Sequence, residues 1–156
     1  MSAKKRLGVL VATTGTALAL SGLLAGTASA LTYDGQDPEA SGCSSSAITA
    51  EQHALTYNGA TIGWVQLRYS TSCMTVWSRI ETTNSAWAKG DAEVVRNSPE
   101  ASQGWGWPGK AVPWSSGNSA YSAWTPMLND VDATSYANGC LINAADDEVC
   151  SSTSSY

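Results

Sequence analysis

The sequence predicts an all-β fold, a small antiparallel barrel or sandwich cross-linked by two disulfides. Three observations predict it. Short runs alternate between apolar and polar residues with a period of two, and turn-forming residues separate these runs at near-regular spacing. No window shows a sustained 3.6-residue periodicity with helix caps. The four cysteines are an even number, which in an exported chain indicates paired thiols.

The first 30 residues predict a secretory signal peptide. Three basic residues, Lys4 to Arg6, precede the apolar run Leu7 to Ala25, and a small-residue cleavage site of the A-x-A type follows at Thr27 to Ala30. We therefore expect a secreted, extracellular protein. Residues 31–46 are expected to form an extended N-terminal segment, and residues 47–156 a single β domain. No later apolar run is long enough for a membrane anchor.

The charge balance excludes one class of partner. After residue 30 the chain keeps all 13 acidic residues but only five of its eight basic ones, so its net charge is −8. A nucleic-acid binder that depends on a basic surface is excluded, and docking on anionic lipid is disfavoured.

The cysteine spacing suggests a local pairing. Cys43 lies near the expected mature start, Cys73 follows the first predicted hairpin, and Cys140 and Cys150 are close together near the end. Four cysteines allow three pairings, and we predict Cys43–Cys73 with Cys140–Cys150. A metal site is disfavoured because C-x-x-C spacing is absent and the chain has one histidine. No metal or cofactor is expected.

The elements follow in order from an extended lead-in that is expected to be held only at Cys43. Asn58-Gly59 separates two β-prone runs and is the strongest short hairpin signal, because both central residues of a type I′ turn need positive φ. The run after that turn alternates, with Val65 and Leu67 on one side and Trp64, Gln66 and Arg68 on the other.

Later elements are predicted from weaker signals. The run 73–80 predicts the next strand, whose pairing with the previous one would bring Arg79 near Trp64. A second hairpin is predicted from residues 85–88 and 92–96 around a turn at 89–91, and residues 97–118 are predicted to be a loop. A strand is expected at 120–128, followed by a polar ending that contains the Cys140–Cys150 loop.

Three segments carry a family resemblance. They are Tyr33-Asp34-Gly35-x-Asp37-Pro38-x-x-x-Gly42-Cys43, then Leu67-Arg68-Tyr69-Ser70-x-x-Cys73-x-x-x-Trp77-Ser78-Arg79-Ile80, then Thr125-Pro126-Met127. In this order and spacing they resemble the YjfA-like family of small exported Gram-positive proteins, a domain of unknown function. The resemblance extends from about Tyr33 to the region of Thr125.

The resemblance implies a non-catalytic role. Similar proteins act as adaptor subunits of secreted antibacterial umbrella-type toxin particles, where they link a lectin-like subunit to a repeat-containing toxin. The resemblance further implies that a free N-terminal segment docks into the partner. Four residues of that segment are therefore candidates for partner binding: Tyr33, Asp34, Asp37 and Pro38. The family supplies no catalytic residues.

Three tryptophans suggest a second binding surface. Trp105, Trp107 and Trp114 lie in a Gly- and Pro-rich segment without strand alternation. Exposed rings there would anchor a protein partner or stack on sugars, and the latter makes a cell-wall or carbohydrate-binding module the alternative function. A third interpretation is that this loop folds back as a lid over one end of the barrel.

Catalysis is the least favoured function. The only histidine, His53, lies in a predicted strand, and no G-x-S-x-G nucleophile motif accompanies the serines. A small hydrolase would need paired carboxylates, for which Glu81, Asp91 and Glu93, or the pair Asp130 and Asp132, are candidates, but scattered acids on an acidic protein produce such pairs by chance. The acidic run 146–148 lacks an EF-hand pattern and is interpreted as solvated. We expect the protein not to be an enzyme.

Overall fold

The computed structural model describes residues 33–98, 100–104, 115–117 and 120–156. Its strands are β1 (Ala47–Tyr57), β2 (Ala60–Ser70), β3 (Thr75–Thr82), β4 (Lys89–Asn97), β5 (Glu100–Gly104), β6 (Ser115–Gly117), β7 (Ala120–Trp124), β8 (Leu128–Asn129), β9 (Ser135–Ile142) and β10 (Glu148–Ser152). The helical residues in this part of the chain form two 3₁₀ turns, Cys43–Ser46 and Ser85–Trp87.

The strands form two antiparallel sheets. A six-stranded sheet has the order β1-β2-β3-β7-β6, with the short β8 also paired to β3, and a four-stranded sheet has the order β10-β9-β4-β5. The all-β prediction is confirmed, and the sheets form a sandwich because neither closes into a barrel. Within the described ranges, no helix is long and apolar enough to cross a membrane.

The core lies between the inner faces of the two sheets. It contains fully buried side chains from both, including Val65, Leu67, Ile80 and Leu141. Gly139 of β9 allows the close approach of the sheets, since a Cβ there would lie 2.4 Å from Ile80 Cγ2 and 2.9 Å from Val65 Cγ2. The four-stranded sheet therefore packs directly against the centre of the six-stranded sheet.

The first hairpin forms as predicted. Asn58 and Gly59 have φ values of 49° and 79°, as a type I′ turn requires. Val65 and Leu67 point into the core, whereas Trp64 on the opposite face is 38 % exposed. The prediction that Trp64 lies near Arg79 holds in this register: Trp64 lies directly opposite Glu81 and Arg79 directly opposite Gln66, so Trp64 and Arg79 are diagonal neighbours on β2 and β3.

Both predicted disulfides are present. Cys43 and Cys73 join the 3₁₀ turn before β1 to the loop between β2 and β3, with a Cα–Cα distance of 5.7 Å. Cys140 and Cys150 lie directly opposite each other in the β9–β10 hairpin, with a Cα–Cα distance of 4.0 Å. The most local pairing is therefore confirmed.

Three predictions between residues 85 and 128 are wrong in part, although residues 92–96 and 120–124 are in strands as predicted. Residues 85–87 form a 3₁₀ turn, capped by the Asn84 side chain, which accepts a hydrogen bond from the Ala86 amide. The expected turn at 89–91 lies inside β4, which is one continuous strand. The expected loop at 97–118 contains β5 and β6, and the expected strand at 120–128 is broken between β7 and β8.

Candidate functional site

Residues 33–42 fold back onto the six-stranded sheet. The Gly35 amide donates to the Met127 carbonyl and the Met127 amide donates to the Gln36 carbonyl, both at 2.9 Å. The prediction of a lead-in held only at Cys43 is therefore wrong. Two backbone hydrogen bonds attach this segment to the break between β7 and β8, where Pro126 interrupts the strand.

Two aspartates fix the segment through their carboxylates. Asp37 accepts the amides of Glu39 and Ala40 at 2.8 Å and 2.9 Å through Oδ1, and its Oδ2 accepts the indole N–H of Trp124 at 3.1 Å. Asp34 accepts the backbone amide of Asn129. The carboxylate of Asp34 also lies 3.8 Å from the guanidinium of Arg96, a side chain that is 9 % exposed.

The other two candidates of the segment are packed. Pro38 is buried, and its carbonyl accepts the Ser44 amide at 3.0 Å. The half-buried ring of Tyr33 packs on a small second cluster formed by Cys43, Trp77 and Met127. All four candidates of the N-terminal segment thus contact their own domain. That they contact a partner stays a prediction.

The three segments that carry the family resemblance meet in this region. The first contributes residues 33–43, the second contributes Trp77 to the cluster beneath them, and the third contributes Met127. We call the surface formed by residues 33–46, Arg68, Trp77, Arg79 and 122–127 the motif face. Asp, Gly and Pro in the first segment supply the turns and carbonyl contacts that hold it there.

Side chains on the outer side of the six-stranded sheet form cross-strand rows. Arg68 of β2 lies opposite Trp77 of β3. In the next row Gln66 lies opposite Arg79, and Arg79 lies opposite Trp124 of β7. Arg68 and Arg79 are therefore diagonal neighbours on adjacent strands, at about 7–8 Å between Cα atoms.

These rows border a half-open groove next to the N-terminal segment. Its volume is about 470 Å³. Residues from four parts of the chain line it, among them Glu39, Arg68, Trp77, Arg79, Ser122 and Trp124. We call it the aromatic–arginine groove. It holds two of the five basic residues that follow residue 30.

A chain of hydrogen bonds orients Arg79. The Gln66 amide donates to Gln52 Oε1 at 2.8 Å, and Arg79 Nε donates to Gln66 Oε1 at 2.7 Å. Arg79 Nη2 lies 3.1 Å from the carboxylate of Glu81. Because Gln66 is buried and bonded at both ends, the guanidinium of Arg79 is held in one place.

Arg68 is anchored from the other side. Its guanidinium donates to the Thr49 hydroxyl and, at 3.3 Å, to the carbonyl of Ala47. Burial and, second, the like charge of Arg79 lower the pKa of Arg68, while Glu81 and Glu39 partly oppose this. The guanidinium nevertheless stays protonated at physiological pH. The groove thus contains two adjacent cations and two nearby carboxylates.

The sequence signals for this groove were incomplete. Period-two alternation placed Arg68 and Gln66 on one face of β2, and Arg79 lies within the second resemblance segment. Neither signal gives the β2–β3 register or the pairing of β7 with β3, which bring Arg68, Arg79 and Trp124 together. The predicted loop residues Trp105, Trp107 and Trp114 lie outside the described residues.

The candidate hydrolase carboxylates Glu81, Asp91 and Glu93 do not converge. Glu81 is on the outer side of the six-stranded sheet, paired with Arg79, whereas Asp91 and Glu93 are on the other sheet. Burial, followed by the charges of Glu148 and Glu93, raises the pKa of Asp91. This acidic group therefore belongs to the opposite outer surface of the sandwich.

His53 has a partner that its position in the sequence did not suggest. Its Nδ1 lies 2.7 Å from the Ser151 hydroxyl, which joins β1 to β10 where the edges of the two sheets meet. Both residues are on regular strands, and Ser151 pairs with Gly139 in the β9–β10 ladder. This contact links the sheets at the surface.

The acidic turn after β9 is held by its own hydrogen bonds. The Asp147 carboxylate accepts the Tyr57 hydroxyl at 3.0 Å and the Asn143 amide at 2.8 Å. Asp146 lies 3.8 Å from the ammonium group of Lys89. Protein donors thus serve both aspartates.

The fold and the motif face together define the class of protein. It is a small disulfide-bonded β-sandwich with a packed N-terminal segment and an aromatic–arginine groove. The chain belongs to the family described as "Protein of unknown function (DUF2690)", whose model matches residues 31–138. It is similar to "Uncharacterized protein YjfA" of Bacillus subtilis (strain 168), with 34 % identity over 114 residues that cover 69 % of each chain. No solved structure matches it.

Proposed function

We propose that this protein is a non-catalytic secreted interaction module that acts as a protein adaptor between subunits of an extracellular complex. By its family resemblance, the complex is an antibacterial toxin particle, and the partners are a lectin-like subunit and a repeat-containing toxin. The motif face is the proposed contact surface. The convergence of the three resemblance segments on that face is the observation that carries the proposal.

The construction of the motif face supports a binding role. Residues 33–42 are attached by hydrogen bonds and the Cys43–Cys73 disulfide, so their exposed positions are presented on a fixed support. Gln36, Glu39 and Ala40 are exposed there, next to the groove. A pre-organised surface loses less conformational entropy on binding than a free tail. The side chains of Asp34 and Asp37 maintain this support.

The experiment is affinity purification of the tagged protein from the native culture supernatant, followed by mass spectrometry and measurement of stoichiometry. An adaptor is expected to elute with at least two different secreted proteins, each at a fixed molar ratio. A chain that elutes alone, or with proteins whose amounts vary between preparations, would contradict the adaptor function.

A further inference from the structure

We propose that the aromatic–arginine groove is a carbohydrate site that binds one sugar residue of an extracellular glycan. In this arrangement the sugar ring lies against the indole of Trp124, and its hydroxyl groups bond to Arg68, Arg79 and Glu39. Sugar binding goes beyond the adaptor function and does not rest on it, because the purified chain would bind sugar in the groove without a protein partner.

The size of the groove suits a small polar ligand. Its volume of about 470 Å³ lies within the range of roughly 300–1,000 Å³ that is usual for small-molecule sites. The groove lies over the middle of the sheet, where β3 is hydrogen-bonded to β2 on one side and to β7 on the other. A peptide cannot extend the sheet at that place, because strand addition needs an unpaired edge.

The polar groups of the groove match hydroxyls better than a simple anion. Arg68 and Arg79 supply N–H donors, and the contacts among described residues engage only part of each guanidinium. Glu39 supplies carboxylate acceptors in the same groove. A hydroxyl group both donates and accepts, so a polyhydroxylated ring can use both kinds of group at once. An anion would be drawn to the arginines but repelled by Glu39 and by Glu81.

The aromatic wall of the groove, formed by Trp124 and Trp77, is held rigidly. Trp124 is half-buried, and its indole N–H donates to Asp37 at 3.1 Å, so the ring has a fixed direction. Trp77 is 3 % exposed and supports the same wall from the neighbouring strand. A fixed ring offers a large apolar surface at little entropic cost, while Arg79 is fixed by Gln66 and Glu81.

The test is a titration of the purified protein followed by NMR of the tryptophan indole N–H groups. The probes are oligomers of glucose, of N-acetylglucosamine and of a hexuronic acid, together with cell-wall polysaccharide from the native host. The Trp124 resonance is identified as the indole signal that is missing from Trp124→Phe. At least one probe is expected to shift this resonance. Arg79→Gln is expected to weaken that binding about tenfold or more, as the loss of a charge-assisted hydrogen bond does.

Lys89→Gln is the matched control, because it removes one positive charge from an exposed side chain of the four-stranded sheet that does not line the groove. It is expected to leave sugar binding within twofold. If Arg79→Gln fails to fold, Arg68→Gln takes its place with the same expectation. The proposal is overturned if no probe shifts the Trp124 resonance at millimolar concentration, or if Lys89→Gln weakens binding as much as Arg79→Gln.

One further titration distinguishes a site that binds carboxylates from a site that binds sugars. A short glutamate-rich peptide that binds with Arg79 dependence while no sugar binds would overturn the carbohydrate assignment. Because the titration uses the chain alone, its failure leaves the adaptor proposal intact. An absence of protein partners in the supernatant likewise leaves the sugar titration valid.

Discussion

At the scale of single residues, Asp37 joins the N-terminal segment to the sheet. One carboxylate oxygen accepts the amides of Glu39 and Ala40, which closes a local turn. The other accepts the indole N–H of Trp124, which is 87 positions away in the sequence. The local turn was predictable from the residue types. The contact with Trp124 was not, because it depends on where β7 pairs.

Replacing Asp37 with Ala removes all three of these hydrogen bonds. We expect Asp37→Ala to lower the free energy of unfolding by about 1–3 kcal/mol, with Asp37→Asn intermediate because its amide oxygen can still accept. Urea denaturation measures this change. Glu100→Ala, at an exposed position of β5, is the control and should change stability by less than about 0.5 kcal/mol. Equal stability of Asp37→Ala and wild type would show that the turn contributes nothing.

A second residue-level prediction concerns pH. Burial and the charges of Glu148 and Glu93 raise the pKa of Asp91 above its ordinary value of 3.8. The folded state therefore binds this proton more tightly than the unfolded state, so its contribution to stability is full below the unfolded pKa and is lost as pH rises through the folded pKa.

Asp91→Asn should remove that loss. We expect the variant to be more stable than wild type at pH 7 and to depend less on pH between about pH 4 and pH 7. Thermal denaturation across this range measures both effects, with Glu100→Gln as the control at the edge of the same sheet. A variant that is less stable at pH 7, with an unchanged pH slope, would contradict the assigned cause.

At the scale of elements, the strongest local signals identified the structure best. Asn58-Gly59 specified its hairpin because a two-residue type I′ turn fixes the register around it. The turn predicted at residues 89–91 is wrong, because Gly90 lies inside the continuous strand β4 and resembles a turn residue only in the sequence. That glycine is required by close packing, since a Cβ there would lie 2.2 Å from the Cys140 carbonyl oxygen.

The two disulfides should differ in their contribution to stability. They close loops with sequence separations of 30 and 10 residues. In the chain-entropy model these correspond to about 3.6 kcal/mol for Cys43–Cys73 and about 2.7 kcal/mol for Cys140–Cys150. Cys43 is also fully buried in the second cluster, whereas Cys150 is exposed. Removing the first pair with alanines should therefore cost more.

Hydrogen exchange distinguishes the two double variants further. Without Cys43–Cys73, the amides of Gly35 and Met127 should exchange much faster, because the N-terminal segment then opens locally. Without Cys140–Cys150, these two amides should keep their protection. Equal loss of stability in both variants, with protection of Gly35 unchanged, would contradict the view that the first disulfide holds the motif face.

At the scale of the whole molecule, the two outer surfaces of the sandwich carry different sets of charged side chains. The outer side of the four-stranded sheet carries Asp91 and Glu93, and the outer side of the six-stranded sheet carries Arg68 and Arg79. The sequence predicted the all-β class and both disulfides. It did not predict the motif face, because segments at 33–43, 77–79 and 124–127 meet only after both hairpins and β7 have paired.

The most direct test of the adaptor function compares two variants. Each carries one new bulky charged side chain, at opposite ends of the molecule. Ala40→Arg changes the motif face at an exposed position, and Ala144→Arg makes the same change in the exposed turn between β9 and β10, at the opposite end of the strands. Each tagged variant is purified from native culture supernatant and its partners are quantified. The account predicts that Ala40→Arg loses at least one partner while Ala144→Arg keeps all of them at wild-type ratios. Retention of every partner by Ala40→Arg, with loss in Ala144→Arg, would contradict it.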